Sequence, residues 1–146
     1  MCQICRMGRP ATLDDERKSA FEQRMVGALN DAAMILMTSV GHRTGLFDAM
    51  ADAPAATSRD IAARSGLDER YVREWLGAMV SAGVIETDAK TGTYQLPAEH
   101  AALLTRSSPA NMAIAAQFLP LIGSVEDDVV ACFRVGGGVP YARYGR

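Results

Sequence analysis

Residues 57–96 read TSRDIAARSGLDERYVREWLGAMVSAGVIETDAKTGTYQL, and the reading of this stretch decides the fold. Thr57 and Ser58 offer hydroxyl caps, and Asp60 an early acid, to a short helix whose apolar face is Ile61 and Ala62, with Leu67 following a Ser65-Gly66 stop. Asp68 caps a second helix over residues 69–82, with Val72, Trp75, Leu76, Met79 and Val80 spaced for its inner face and Gly83 as its terminator. Tyr71, Trp75 and Met79 are expected to fill the core. Val84-Ile85-Glu86-Thr87 and Thr93-Tyr94-Gln95-Leu96 are β-prone runs, and Gly92 between them can supply the positive φ of a hairpin. Helix, turn, helix and a two-stranded arm make a winged helix-turn-helix, a mainly α fold with a small β-wing and flanking helices.

Upstream, residues 1–15 read as a disordered N-terminus, followed by a helix over 17–40. Phe21, Met25, Leu29, Ala32 and Leu36 fall on one stripe, and Ala33, Met34, Ile35 and Met37 make the second half apolar nearly all round. A chain this short has little material to cover such a helix, so a homodimer built on it is expected, with a central core helix of a monomer as the alternative. A glycine-punctuated turn through Gly41 and Gly45 then leads to a short amphipathic helix, Leu46-Phe47-Asp48-Ala49-Met50, before Pro54. Downstream of Pro97, helical patterns return over 98–104, 110–119 and 125–133. The stretch from Gly136-Gly137-Gly138 to Arg146 reads as a non-helical link. The expected organisation is a winged-helix dimerisation domain over 16–104, a helical connector over 105–134 and a linker over 135–146.

The 146 residues carry 15 Lys and Arg against 17 Asp and Glu, and 49% of them are hydrophobic. That composition belongs to a foldable globular chain of one domain, and excludes collagen-like, disordered and supercharged nucleic-acid-binding classes. No apolar run approaches the roughly 18 residues of a membrane helix, and no apolar segment follows Arg6 and Arg9 to make a signal peptide, so the cytoplasm is the default expectation. Cys2 and Cys5 form half of a conceivable zinc site, but Cys132, His42 and His100 are scattered singly, and no metal is expected. The acids Glu126-Asp127-Asp128 suit the first turn of a helix beginning near Ser124. His42 and His100 lie too far apart for a defensible nucleophile and base pair, so no catalytic residue is assigned.

A winged helix serves either DNA or another protein surface. Residues 57–96 contain five basic residues, Arg59, Arg64, Arg70, Arg73 and Lys90, against six acids, a balance of −1. DNA affinity comes from neutralised phosphates, and the would-be reading helix opens with Asp68-Glu69, so the charge argues against nucleic acid. Were DNA the ligand, those five residues would carry it, as in a transcriptional regulator.

The words Thr44-Gly45-Leu46-Phe47-Asp48-Ala49-Met50, Arg59-Asp60-Ile61-Ala62-Ala63-Arg64-Ser65-Gly66-Leu67-Asp68-Glu69-Arg70-Tyr71-Val72-Arg73-Glu74-Trp75-Leu76, Gly83-Val84-Ile85 and Tyr94-Gln95-Leu96-Pro97-Ala98-Glu99-His100-Ala101 point to the second use. In kind and order they resemble the N-terminal region of a family of bacterial SAM-dependent methyltransferases, from about Phe21 onward. The resemblance implies a dimerising winged-helix domain that precedes a doubly wound catalytic domain holding S-adenosylmethionine; some members are labelled transcriptional regulators. It further implies that the closing segment helps cover bound ligands in a complete protein, through Tyr141, Arg143 and Tyr144. A class I methyltransferase also needs an acid-ended strand and a glycine-rich turn. Gly136-Gly137-Gly138 is the only glycine cluster, and Pro140 disfavours a helix start there, so the catalytic half is expected to be missing from these residues, which alone should bind no SAM.

Overall fold

The computed structural model describes residues 13–145. Cys2, Cys5 and most of the stretch expected to be disordered lie outside them. Helix α1, Asp15–Thr44, opens on Asp14, whose carboxylate accepts from the Arg17 N–H at 3.1 Å. It runs four residues past the expected end, straight through Gly41. That glycine does not break the helix, because its missing side chain is what lets the Trp75 and Phe47 rings lie against the backbone. The stop comes at Gly45, whose φ of 78° belongs to the left-handed region that closes helices cheaply only with glycine.

Helix α2 spans Leu46–Met50, α3 Ser58–Ser65 and α4 Glu69–Ser81. Thr57 and Asp60 form a reciprocal capping box at the start of α3, and the Asp68 side chain caps α4. Strands β1, Glu86–Asp88, and β2, Thr93–Gln95, pair antiparallel, with Thr87 opposite Tyr94. The wing starts two residues later than expected because the Val84 and Ile85 N–H groups both donate to the Met79 carbonyl, finishing α4 instead of entering a ladder. It also has a third contributor that the sequence reading missed: Ala56 bridges Tyr94 through two backbone hydrogen bonds.

Phe47, Leu76 and Met79 are fully buried, each contributing roughly 1.5–3 kcal/mol of transfer free energy. The Trp75 ring meets Phe47 edge-on at 5.3 Å, and its indole N–H donates to the Met37 carbonyl at 2.9 Å, locking α4 onto α1. Tyr71 does not join this core. It is 72% exposed, because it stands one position, about 100° of helix rotation, before Val72 on the buried face.

Helix α5, Ala98–Leu104, follows Pro97. The next expected helix, over 110–119, is interrupted. Asn111 accepts from the Ile114 N–H, a single 3-10 turn covers Ala115–Gln117, and only then does α6, Phe118–Gly123, begin. Helix α7, Glu126–Val135, has Val125 at its cap position, since the Ser124 hydroxyl is spent on the Leu121 carbonyl. Its first turn holds the three acids as expected. The closing link is not wholly irregular: Tyr141–Arg143 make a 3-10 turn.

Arg106 ties the beginning of the connector to the end of α1. Its guanidinium donates to the His42 and Arg43 carbonyls at 2.7 and 3.1 Å, and its backbone N–H donates to Asp48 at 2.8 Å. A cation on the last helical carbonyls also suits the helix dipole, worth about 0.3–1 kcal/mol. No described helix is long and apolar enough to cross a membrane.

Candidate functional site

The contrast between the two halves of α1 defines the largest candidate surface. Its second half buries Thr38, Ser39 and Gly41 against the winged helix, whereas every residue from 15 to 26 is exposed. Phe21 is 63% and Leu29 66% exposed, with Met25 and Val26 between them also facing water. Phe21, Met25 and Leu29 stand four residues apart, so they line up along one side of the helix. Where α1 reaches α4, a cleft of about 350 Å³ lies between Ala33, Met34 and Met37 on one side and Ala78, Ser81 and Ala82 on the other. The small side chains of α4 leave this space open.

The five basic residues of the winged helix are all exposed, and two of them have partners within the chain. Arg64 donates to the Ala49 carbonyl at 2.9 Å, and Arg73 lies 3.6 Å from Glu69. Asp60, held by the Thr57 hydroxyl, and Asp88, held by the Lys90 backbone N–H, both have pKa values lowered from the usual 3.8. Both carboxylates are charged at neutral pH, as an ordinary aspartate is, and with the other acids of residues 57–96 they offset the basic residues, which weakens any phosphate-binding face.

At the other end, Tyr141, Arg143 and Tyr144 share one short turn. The Arg143 Nε and Nη2 donate to the two Asp128 oxygens at 2.8 and 3.0 Å, a bidentate pair that ties the turn to α7. Hydrogen bonding from Arg143 lowers the Asp128 pKa below 3.8, and that from Asp128 raises the arginine's. A carboxyl lowered on folding stabilises the contact above its free pKa and ceases to do so as pH falls through the lowered value. The Arg143 Nε–H NMR signal is accordingly expected to titrate with a midpoint below 3.8. A midpoint at or above that value would show the pair to be absent in solution. Asp128 as the partner was not legible in the sequence, since 15 residues separate the two.

Tyr141 is 96% exposed, with its ring 6.3 Å from that of Tyr144. The neighbouring hollow, about 340 Å³, is walled by Val129, Cys132, Phe133, Gly138 and Val139. A sulfonium nucleoside such as SAM needs partners for a ribose diol, an ammonium and a carboxylate. These walls are apolar, and Asp128 is committed to Arg143. The residues of this turn do not by themselves fit that cofactor.

The histidines have separate duties. His100 Nδ1 lies 2.8 Å from the Val84 carbonyl and pins α5 to the segment between α4 and β1, while His42 faces Asn111 and Gln117. Among the described residues no cluster of three or more His, Cys, Asp or Glu could hold a metal.

The Rv2258c-like winged helix-turn-helix domain matches residues 32–106. The chain belongs to that family. No curated protein matches the chain in sequence. Among solved structures, this Rv2258c-like chain is similar to the N,N-8-amino-8-demethyl-D-riboflavin dimethyltransferase RosA from Streptomyces davawensis, with 25% identity and a TM-score of 0.66 over 84% of this chain and 35% of that one. It is also similar to PigF, solved with SAH, at 25% identity and a TM-score of 0.57 over 78% of this chain and 33% of that one. The mitomycin 7-O-methyltransferase MmcR shares the fold, with 20% identity and a TM-score of 0.65 over 86% of this chain and 37% of its own. The chain thus spans about a third of the length of each of these three proteins.

Proposed function

We propose that this chain is the dimerising, ligand-covering part of a SAM-dependent methyltransferase whose cofactor-binding domain lies outside residues 1–146. The observation that carries the proposal is the match of 84% of this chain to 35% of RosA at 25% identity. On this reading residues 16–104 are the dimerisation domain, 105–134 the connector and 135–146 the link to the catalytic domain. The exposed stripe of Phe21, Met25 and Leu29 pairs with a second copy of the chain, as burial of apolar surface favours. In the complete protein Tyr141, Arg143 and Tyr144 contribute to the cover over the cofactor and acceptor, with Asp128 positioning the turn. The chain acts in the cytoplasm and does no chemistry on its own.

Isothermal titration with SAM and SAH tests the division of labour. These 146 residues are expected to give no binding heat at micromolar concentration, whereas a chain extended through an acid-ended strand and a glycine-rich turn binds both. Micromolar binding by the short chain would overturn the proposal. The DNA-binding alternative loses ground to the acids that outnumber the basic residues of the winged helix and to Glu69 beside Arg73.

A further inference from the structure

Residues 107–125 contain no acidic, basic, histidine, cysteine or tyrosine side chain, so this part of the connector has no charge of its own to answer to pH. It is nevertheless fastened by a titratable group. His42, half-buried in the last turn of α1, meets it with both ring nitrogens: Nε2 lies 3.1 Å from the Asn111 amide nitrogen and Nδ1 2.9 Å from that of Gln117. The Asn111 amide is oriented from its other end, because its oxygen accepts from the Ile114 N–H at 3.3 Å. Its NH2 group therefore donates to Nε2, which must be bare. A neutral imidazole then carries its hydrogen on Nδ1, and Gln117 receives it by presenting its amide oxygen, the two ends of that group being interchangeable in shape.

We propose that His42 is a proton-operated latch that holds residues 110–123 against the end of α1. When a proton from solvent binds Nε2, the ring has two donors and no acceptor, and the Asn111 NH2 faces an N–H. Asn111 can restore its contact with the ring only by turning over, which withdraws its oxygen from Ile114 and opens the entry to the 3-10 turn at Ala115–Gln117. Histidine is the side chain that ordinarily changes charge between pH 5 and 8. The charged groups around it are Arg43, next on α1, and Arg106, whose guanidinium binds the His42 carbonyl and pairs with Asp48 of α2 at 3.6 Å. The two cations oppose a further positive charge, and Asp48 with the carbonyl end of α1 favours it. This latch stands independently of the methyltransferase reading, since it concerns only contacts inside the chain.

Native-state hydrogen exchange of the full 146-residue chain at pH 7.5 and 5.5 tests it. After correction for intrinsic exchange chemistry, amides 113–118 are expected to lose protection about tenfold at the lower pH, the equivalent of one net hydrogen bond. His42→Gln keeps a donor and an acceptor but takes no proton, and is expected to show the same protection at both values. Unchanged protection in the wild-type chain, or an equal loss in the variant, would overturn the latch. A second reading needs no substitution: nitrogen NMR of the His42 ring is expected to find Nε2 bare at neutral pH, titrating with the same midpoint as the loss of protection. A bare Nδ1 or separate midpoints would equally overturn it.

Discussion

Gly41→Ala is expected to lower the free energy of unfolding by about 1–3 kcal/mol, although alanine is intrinsically better in a helix by about 1 kcal/mol. A Cβ at this position would sit 2.5 Å from the Trp75 ring and 2.8 Å from that of Phe47. Neither ring can yield easily, since Phe47 is fully buried and Trp75 is tethered to the Met37 carbonyl. Gly77→Ala on α4 is the matched control. Its Cβ would meet nothing within 4 Å, so it is expected to stabilise by about 0.5–1 kcal/mol. Denaturant midpoints measured at one fixed protein concentration read both values. Shifts of the same sign would mean that the close approach of α4 to α1 does not exist in solution.

The paired substitution Met25→Glu with Leu29→Glu is expected to turn a sedimenting dimer into a monomer. The two positions lie one turn apart on the uncovered stripe of α1, and symmetry would place four carboxylates in the contact. Losing roughly 1.5 kcal/mol at each of the four side chains weakens association by about 10⁴-fold. Far-UV circular dichroism is expected to stay unchanged, because both side chains face water within the protomer. A wild-type chain that sediments as a monomer at micromolar concentration, or a variant that keeps its dimer mass, would remove the dimerisation half of the proposed function.

Much of the winged helix was legible because each of its elements carries a local chemical signature. The Thr57 and Asp60 capping box, the Asp68 cap and the spacing of Val72, Trp75, Leu76 and Met79 act within a few residues of one another. The same locality explains the errors. Tyr71 read as core because its aromatic side chain was weighed above the helical spacing, which places it off the face of Val72 and Trp75. Gly41 read as a turn because a glycine's use depends on what packs against it. The region 110–119 read as a continuous helix because its Ala-rich pattern conceals that Asn111 is drawn to His42, 69 residues away. Of the nominated site residues, Tyr141, Arg143 and Tyr144 came from resemblance alone, and nothing local announced that Asp128 would fasten Arg143.

By itself, then, the amino-acid order determined where α3 and α4 start and stop and which of their faces are apolar, since capping and periodicity are short-range effects. Tertiary structure alone decided that Gly41 makes room for two rings, that Arg106 closes α1 from 63 residues away and that His42 grips the connector. Those contacts join residues whose separation along the chain leaves no periodic or capping mark, and they form only when packing brings the segments together.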